Sequence, residues 1–353
     1  MNDDLKIRKM YIGSDVTEYV CGKDAIDSMN GGGIFLVSGI LRDKFPGKMK
    51  RLEGENVIYM DDGEAVKDIK NYENVCRKLV ENDVERNSVI TYVGGGTLGD
   101  LTGFIASTYK RGLRLRAMPT TLLSMVDSSI GGKNGINFSG LKNAIGTFKN
   151  PEVIVADTDF IVGNENILRE GLAEIIKHGL SLDYSIIETL GKNNIETISK
   201  GNTLRDLIVK NAGIKGDICN SDPFELTEKR YVLNFGHTVA HGIEAASGNR
   251  ISHGMAVIYG MIFEIKMARE YGTLGHDPST VICELLEKYH IQLPEVNEKM
   301  LRSSLRYMVN DKKVRDGMIN IPMISNPGES VIVNMELGKM RELFLKVMGM
   351  MSR

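Results

Sequence analysis

Three of the six histidines in this sequence have a spacing that could support metal chemistry. His237 and His241 are four residues apart, so a helix would place both imidazoles on one face. His253 follows in a turn before another helical stretch and could return to the same site. Imidazole nitrogens are common zinc ligands, and this cluster therefore makes a metal site one hypothesis for the chain. A lone histidine is more often a structural or surface residue, so the hypothesis needs a further ligand.

A glutamate in an apolar helical stretch could be that ligand. Glu174 has Leu, Ala and Ile neighbours between residues 172 and 176, so its carboxylate either faces solvent or has a buried cationic partner. One Glu and two His with an open position are typical of catalytic zinc. His178, four residues after Glu174, is a rival ligand that spacing does not exclude. Thr238 stands where the HExxH motif of zinc proteases has its glutamate, which disfavours a metalloprotease.

A glycine-rich loop indicates a separate site for phosphate groups. Gly94, Gly96 and Gly99 match the GxGxxG spacing. The loop follows an apolar run typical of a strand and precedes a helical stretch, so the helix N-terminus could offer free N–H groups to a pyrophosphate. The same spacing also suits an ordinary tight turn. No clear acid follows about 20 residues later, so a ribose-binding carboxylate must lie elsewhere, and Glu64 is one candidate.

Basic residues flank these motifs. The stretch 120–137 combines hydroxyls, glycines, Asp127 and Lys133, and Lys142 follows it closely. Most lysines taken singly are solvated surface groups. Several of them beside the glycine and histidine motifs instead favour a substrate with more than one negative charge. The other basic positions near the motifs are Arg111, Lys215, Arg230 and the segment 311–313.

The elements that must position these residues differ between the two halves. In the first half, strands separated by helical stretches imply a mostly parallel sheet with right-handed crossovers. From about residue 164 the sequence has helical spacing and few β-branched runs. We therefore expect an α/β Rossmann-like domain over 1–163 and an all-α domain over 164–353. The runs that predict strands are 33–37, 56–60, 88–93 and 152–156.

Composition excludes several classes of protein. The chain has 353 residues, and 42% hydrophobic residues are enough for a buried core. Its 44 basic and 46 acidic residues leave a net charge of −2, which argues against a nucleic-acid partner. Four scattered cysteines form no CxxC pair, so neither a disulfide framework nor a cysteine zinc module is expected. No secretory signal and no bilayer-length apolar run are visible, so we expect a cytoplasmic protein without a membrane partner.

Taken together and in order, four motifs resemble the 3-dehydroquinate synthase family. The resemblance runs from about residue 62 to residue 313, most of the chain. It implies a Rossmann-like N-terminal domain, a helical C-terminal domain and a homodimer. It also implies that 3-deoxy-D-arabino-heptulosonate 7-phosphate is converted to 3-dehydroquinate and phosphate in the shikimate pathway of aromatic amino acid biosynthesis, with NAD regenerated in each turnover. The motifs lie at 94–100, 118–137, 169–179 and 233–244.

The positions that match the family's motifs imply the site residues of this chain. Glu174, His237 and His253 would bind Zn²⁺, with Co²⁺ as an alternative, and His178 would not. His241 would relay a proton, and Asp127 would lie between NAD and the substrate. Arg111 would reach the substrate from the partner subunit. The remaining substrate residues would be Lys133, Asn143, Lys177, Lys215, Arg230, Asn234 and Lys312. The NAD residues would be Asp62, Gly63, Glu64, Lys67, Gly95, Gly96, Thr97, Leu98, Gly99, Asp100, Thr120, Thr121, Lys133 and Lys142.

The chain departs from the usual family pattern at Ser38. The family usually has an aspartate there that contacts the adenosine ribose, so the choice between NAD and NADP stays open. Three alternatives to a dehydroquinate synthase also stay open: another sugar-phosphate cyclase, a metal-dependent polyol dehydrogenase, and an inactive relative that serves as a binding protein. Lys142, Lys215 and His241 favour the dehydroquinate branch.

Overall fold

The structure of the chain is a computed structural model that describes residues 4–29, 32–199, 202–309 and 314–351. It divides into two compact units. The first unit is Met1–Leu168 with Asn202–Phe224, and the second is Arg169–Gly201 with Glu225–Arg353. The domain boundary expected after residue 163 stays a prediction. The compact units differ from it because the segment 202–224 packs within the first unit.

Twelve strands form within the described part of the chain. Those of the first unit are β1 (Lys6–Ile12), β2 (Asp15–Gly22), β3 (Ile34–Ser38), β4 (Asn56–Met60), β5 (Val89–Gly94), β6 (Arg114–Pro119), β7 (Lys133–Phe138), β8 (Leu141–Phe148) and β9 (Val153–Asp157). Those of the second unit are β10 (Val314–Arg315), β11 (Met318–Asn326) and β12 (Glu329–Glu336).

The described helices also belong to both units. They are α1 (Ile40–Lys44), α2 (Pro46–Met49), α3 (Ile69–Glu81), α4 (Gly96–Thr108), α5 (Glu165–Ser181), α6 (Ser185–Lys192), α7 (Ile195–Ile198), α8 (Thr203–Ser221), α9 (His237–Ala246), α10 (His253–Tyr271), α11 (Ser279–Lys288), α12 (Glu298–Val309) and α13 (Leu337–Met351). None of the helices in these ranges is long and apolar enough to cross a membrane.

A seven-stranded sheet in the order β1-β2-β9-β6-β5-β3-β4 forms the centre of the first unit. The edge strand β1 is antiparallel to β2, and the other neighbouring strands are parallel. Every residue of β3 and of β5 is buried, as expected for parallel strands covered on both faces. The four predicted strands match β3, β4, β5 and β9, so the predicted parallel sheet is confirmed.

Strands β7 and β8 form a separate antiparallel hairpin. Ser139 and Gly140 make its turn, with φ of +49° and +79°. Two successive positive φ values are typical of the tight turns that match the twist of a hairpin. The sequence up to residue 137 is dense in glycines and hydroxyls, and these two strands were not among the predicted ones.

The second unit is mainly helical, as predicted. Helix α10 is its centre: twelve of its residues are buried, and it packs against α9 and α13. The unit also contains a three-stranded antiparallel sheet, β10-β11-β12, which the expectation of an all-α domain did not include. The available signal was the Ile- and Val-containing runs of β11 and β12 on either side of Gly328, which has φ of +85°.

Candidate cofactor and metal sites

The glycine loop joins β5 to α4 in the first unit. Gly95 caps α4 in an extended conformation and makes no side-chain hydrogen bond, so the N–H groups of the first turn can bind an anion. A Cβ added at Gly96 would lie 2.5 Å from Ser128 Oγ, and one added at Gly99 would lie 2.9 Å from the ring carbon Cζ of Tyr92. Glycine is therefore required for close packing here, and the predicted strand–loop–helix arrangement is confirmed.

Two of the predicted NAD residues, Lys67 and Asp100, form an ion pair in this unit. Lys67 Nζ lies 2.6 Å from Asp100 Oδ2 and 3.6 Å from Glu64 Oε1. Burial raises the pKa of the Asp100 carboxyl, and the charge of Lys67 acts against that rise. Asn137 donates to Glu64 Oε1 at 2.8 Å through its side chain and to the Lys67 carbonyl at 2.7 Å through its backbone. These contacts tie the segment 62–67 to α4 and β7.

Asp127 and Lys215 are 88 positions apart in the chain but meet in the first unit. Lys215 Nζ lies 2.7 Å from Asp127 Oδ1 and donates to the Asp127 carbonyl oxygen at 2.6 Å. Lys215 comes from α8, and Asp127 lies in the short helical turn Ser124–Ser128. The lysine that we expected in the second domain therefore belongs to the first compact unit.

The other residues predicted for the first unit lie on β7, β8 and the end of β6. Lys133 and Lys142 belong to the hairpin. Asn143 has φ of +51°, and its N–H donates to Asn137 Oδ1 at 2.9 Å. Thr120 is buried directly after β6. The NAD residues not yet placed lie in the segment between β4 and α3, in the first turn of α4 and in the loop after β6: Asp62, Gly63, Thr97, Leu98 and Thr121.

Arg111 lies at the opposite end of α4 from the glycine loop. The helix has 13 residues, so its two ends are about 20 Å apart. Arg111 is exposed with φ of +66°, and Lys110 before it has φ of +46°. The structure therefore does not bring Arg111 to the glycine loop of its own chain.

In the second unit, Glu174, His237 and His253 bring their ligand atoms within 4.8 Å of one another. Glu174 Oε1 lies 3.5 Å from His237 Nε2 and 3.4 Å from His253 Nε2. Glu174 is fully buried on α5, and it forms an ion pair with the equally buried Lys177 one turn later. The sequence left two alternatives for this glutamate, exposure to solvent or a buried cationic partner, and the structure shows the second, with Lys177 as the partner.

The orientation of these side chains fits a bound cation. His237 Nδ1 lies 3.1 Å from the Phe235 carbonyl oxygen, which can only accept, so Nδ1 carries the proton and Nε2 presents a lone pair. That lone pair lies 3.5 Å from Glu174 Oε1, while Glu174 Oε2 contacts Lys177. Two electron-pair donors at this distance could share one bound metal ion. One carboxylate and two imidazoles are a typical donor set for Zn²⁺.

The protonation states of the three residues differ. Burial raises the pKa of the Glu174 carboxyl, but the charges of Lys177 and the two histidines outweigh burial and hold that pKa well below its usual range. Burial holds the pKa of His237 well below its usual range. Burial also opposes the charge of His253, yet hydrogen bonds with Glu174 and Glu244 raise its pKa to about 10. A metal that binds here would therefore displace the proton of His253.

Glu264 supports this group, and it was not among the residues predicted from the sequence. It is fully buried on α10, and its carboxylate accepts hydrogen bonds from the N–H groups of Gly236 at 2.7 Å, Thr238 at 3.1 Å and Val239 at 3.3 Å. These groups begin α9, the helix that starts with His237. An acid at a helix N-terminus is favourable because it satisfies free N–H groups and opposes the helix dipole. The available signal was an acid in an apolar stretch, as for Glu174.

The other described residues predicted for the second unit lie on α5, on α9 and in the short helical turn before α9. His241 is exposed on α9, and its ring centroid lies 5.5 Å from that of His237. Arg230 is 2% exposed in the short helical turn Glu228–Asn234, which ends at the predicted residue Asn234. His178 is fully buried and brings a ligand atom within 4.8 Å of Glu174, so position alone does not remove it as a rival ligand. Lys312 lies outside the described residues.

The two units together have the fold of the sugar-phosphate cyclases. The crystal structure of a 2-deoxy-scyllo-inosose synthase complexed with carbaglucose-6-phosphate, NAD⁺ and Co²⁺ matches this chain with a TM-score of 0.85. The two chains are 21% identical, and the match covers 97% of this chain and 99% of that one. The predicted fold class is thereby confirmed.

Sequence comparison narrows the class to one family. The model of the 3-dehydroquinate synthase N-terminal region matches residues 57–167, and that of the C-terminal region matches residues 171–314. A 3-dehydroquinate synthase from Thermoplasma volcanium is 44% identical over 274 residues, which are 78% of this chain and 76% of the relative. Another from Picrophilus torridus is 37% identical over 349 residues, 97% of this chain and 98% of the relative. The chain belongs to the 3-dehydroquinate synthase family.

Proposed function

We propose that this chain is a 3-dehydroquinate synthase. It would convert 3-deoxy-D-arabino-heptulosonate 7-phosphate to 3-dehydroquinate and inorganic phosphate in the shikimate pathway. The observation that carries this proposal is the likeness, over nearly the whole chain, to relatives of that name. The glycine loop of the first unit and the Glu174 group of the second support it, because the reaction uses both a dinucleotide and a metal.

Glu174, His237 and His253 would hold Zn²⁺, or Co²⁺ in its place. When bound, the cation would act as a Lewis acid that polarises a substrate hydroxyl and lowers its pKa. The chain's own contribution is orientation. The Phe235 carbonyl sets the tautomer of His237, and Glu244 lies 3.5 Å from His253 Nδ1, so both rings present Nε2 to the same point.

NAD would bind to the first unit, with its pyrophosphate at the N-terminus of α4. When bound, NAD would take a hydride from the substrate and return it later in the same turnover. Gly96 and Gly99 let α4 pack closely against Ser128 and Tyr92, and Lys67 would add positive charge beside the loop. The full proposed set is Asp62, Gly63, Glu64, Lys67, Gly95, Gly96, Thr97, Leu98, Gly99, Asp100, Thr120, Thr121, Lys133 and Lys142.

The substrate carries a carboxylate and a phosphate, and each unit offers cations for them. In the second unit Lys177 places a positive charge next to Glu174, and Arg230 adds a guanidinium that can bind an oxyanion through two N–H groups. In the first unit Lys215 is held by Asp127, which keeps its ammonium group in one place. Fixed charges of this kind stabilise an anionic transition state without reorganisation. Lys133, Asn143, Asn234 and Lys312 would complete the set.

His241 would relay a proton, because it is exposed and its ring lies beside that of His237. We further propose a cytoplasmic homodimer in which Arg111 completes the site of the partner subunit. The distance between Arg111 and the glycine loop of its own chain supports a role across an interface. The substrate would be a small-molecule sugar phosphate, and we expect no nucleic-acid or membrane partner.

The test is incubation of the purified protein with the heptulosonate phosphate, NAD and Zn²⁺. Phosphate and dehydroquinate should form in equal amounts, and NADH should not accumulate. Glu174→Gln serves as the inactive control. Turnover of a different sugar phosphate instead would assign the chain to another cyclase. Net NADH formation with glycerol or a similar polyol would support a dehydrogenase, and no reaction with any of these would support an inactive relative.

A further inference from the structure

Both imidazoles in the proposed metal site belong to the first residue of a helix. His237 begins α9, and His253 begins α10. The N-cap residues before them, Gly236 and Ser252, make no side-chain cap hydrogen bond. The N–H groups of a first helical turn need acceptors, and an N-cap side chain usually supplies one. Whatever holds each helix start in place therefore also decides where the imidazole lies.

For α10 the acceptor comes from another helix, α5. Glu170 Oε2 accepts a hydrogen bond at 3.2 Å from the N–H of Gly254, the second residue of α10. Glu170 Oε1 accepts a hydrogen bond at 2.5 Å from the hydroxyl of Ser252. Ser252 is thus a donor to the carboxylate, and Glu170 takes the place of the N-cap side chain. A carboxylate at this position also opposes the positive end of the helix dipole.

The start of α10 lies against the backbone of α5 as well. A Cβ added at Gly254 would lie 2.5 Å from the Glu170 carbonyl oxygen and 2.8 Å from Glu170 Oε2, so this approach requires glycine. Glu170 is four residues before Glu174, one turn earlier on the same helix. One stretch of α5 therefore presents the buried carboxylate and also holds the start of the helix that carries His253.

Helix α10 in turn holds the start of α9. A Cβ added at Gly260 of α10 would lie 1.8 Å from the Gly236 carbonyl oxygen, so the two backbones are in contact there. Glu264, one turn further along α10, accepts the N–H of Gly236 at 2.7 Å. A shift of α10 relative to α5 would therefore move both imidazoles relative to the carboxylate of Glu174.

We propose that Glu170 is a positioning residue of the metal site, an inference that rests on the proposed function only in requiring a metal ion at the three ligands. Glu170 fixes the helix of His253 against the helix of Glu174, and this preorganisation raises the affinity for the metal. Glu244 has a different role, because it lies 3.5 Å from Nδ1 of the His253 ring, whereas Glu170 contacts the backbone of the helix.

The opposing hypothesis is that Glu170 stabilises the fold without affecting the metal. A helix cap contributes to stability whatever residue the helix carries. The two hypotheses differ in what zinc does to thermal unfolding. If Glu170 only stabilises the fold, its loss lowers the unfolding temperature equally with and without zinc. If it positions the ligands, its loss also reduces the rise in unfolding temperature that zinc produces, because that rise depends on the affinity.

The first experiment measures the affinity for zinc in the full-length protein by competition with a chelator. Glu170→Ala should weaken zinc binding roughly tenfold, because it removes the acceptor at the start of α10. Glu170→Gln keeps the size of the side chain and one acceptor oxygen, so its affinity should lie between those of Glu170→Ala and the unmodified protein. Glu188→Ala, the same change at an exposed acid of α6, is the matched control and should leave the affinity unchanged.

The second experiment measures the geometry of the ligands with Co²⁺ in place of zinc. The visible absorption of bound Co²⁺ depends on how its ligands are arranged. At saturating Co²⁺, Glu170→Ala should therefore shift or weaken the absorption bands, and Glu170→Gln should restore them in part. Glu188→Ala should give the spectrum of the unmodified protein. Loss of a contact that only stabilises the fold would not change this spectrum.

The third experiment tests whether Ser252 acts through Glu170. Ser252→Ala should weaken zinc binding roughly threefold, because the carboxylate loses one of its two donors. The double variant Ser252→Ala/Glu170→Ala should bind zinc no more weakly than Glu170→Ala alone. Additive losses would show that Ser252 acts on its own and would overturn the link between the two residues.

Several results would overturn the positioning role of Glu170. These are an unchanged affinity for zinc in Glu170→Ala, an unchanged Co²⁺ spectrum, or an unfolding temperature lowered by the same amount with and without zinc. If Glu170→Ala does not fold, the same three measurements on Glu170→Gln decide. Absence of zinc binding by the unmodified protein would overturn the role as well. The proposed function fails separately, if the protein binds zinc but releases no phosphate from the heptulosonate phosphate.

Discussion

The acids of the two units have different surroundings. In the first unit, each acid contacts one lysine: Asp100 contacts Lys67, and Asp127 contacts Lys215, each within 2.7 Å. In the second unit, the fully buried Glu174 contacts Lys177 and also lies within 3.5 Å of His237 and His253. The comparison teaches that these acids of the first unit are matched by single cations, whereas Glu174 and the two imidazoles form a set of electron-pair donors that suits a metal ion.

The largest expected effect comes from removing the buried carboxylate. Glu174→Gln should abolish stoichiometric zinc binding and lower turnover by more than about 100-fold, because a neutral amide is a poor zinc ligand. Metal analysis and phosphate release measure the two effects. His178→Ala should change neither. Retention of zinc in Glu174→Gln with loss in His178→Ala would exchange the two residues in the proposed ligand set.

Variants of Arg111 test whether turnover needs a cation beyond the charge pairs within the first unit. Arg111→Ala should lower turnover on the order of 100-fold, and Arg111→Lys should also be impaired because lysine lacks a bidentate fork. Lys110→Ala, one position earlier and also exposed, is the control.

Mixing subunits then separates action within a chain from action across an interface. Arg111→Ala protein and Glu174→Gln protein, each strongly impaired alone, should regain part of the activity once their subunits exchange. One of the two sites in a mixed dimer would then carry neither defect. If exchange is verified and no activity returns, Arg111 acts within its own chain or has no part in the reaction.

A variant of Glu264 tests whether zinc binding by Glu174, His237 and His253 depends on the hydrogen bonds that fix the start of α9. Glu264→Gln keeps the size of the side chain but removes the charge that binds the N–H groups beginning α9, so the affinity for zinc should fall about 10- to 100-fold. Competition with a chelator measures that affinity, and excess zinc should restore turnover if His237 is only displaced. Glu270→Gln on the same helix is the control. Loss of turnover with unchanged zinc affinity would assign Glu264 a different role.

The smallest expected effect concerns the ion pair at the glycine loop. Lys67→Met should weaken NAD binding about tenfold while zinc content stays at one per chain, and Lys70→Met on α3 should leave both unchanged. Zinc removal by a chelator should lower the unfolding temperature of the Lys67→Met protein as much as that of the unmodified protein. A change in zinc content in Lys67→Met would contradict the separation of the two sites.

Prediction from sequence was most successful where the signal is local. The strands at β3, β4, β5 and β9 and the helical stretches of the second half follow from hydrophobic periodicity, which depends on neighbours in the chain. The hairpin β7-β8 and the sheet β10-β11-β12 were missed. Their strands alternate apolar and polar residues less regularly, and they lie among glycines, turns and helical segments that hide the period.

Within the sites, the same reasoning found Glu174 and missed Glu264. Each is an acid in an apolar helix, and each has a partner that satisfies its charge. The partner of Glu174 is three residues away on the same helix, and the partners of Glu264 are the N–H groups that begin another helix. Sequence spacing can suggest the first kind of contact but not the second.

The sequence by itself determined the types of group available: a glycine loop after a buried strand, one Glu and two His for a metal, and cations for an anionic substrate. It also determined the family, because those motifs occur in a set order. Only the tertiary structure decided that Lys215 contacts Asp127, that Ser38 donates a hydrogen bond to Asp62 and that the Glu264 carboxylate binds the N–H groups at the start of α9. Those contacts join residues about 24 to 88 positions apart in the chain. Spacing along the chain does not predict them, because strand order and helix packing bring such residues together.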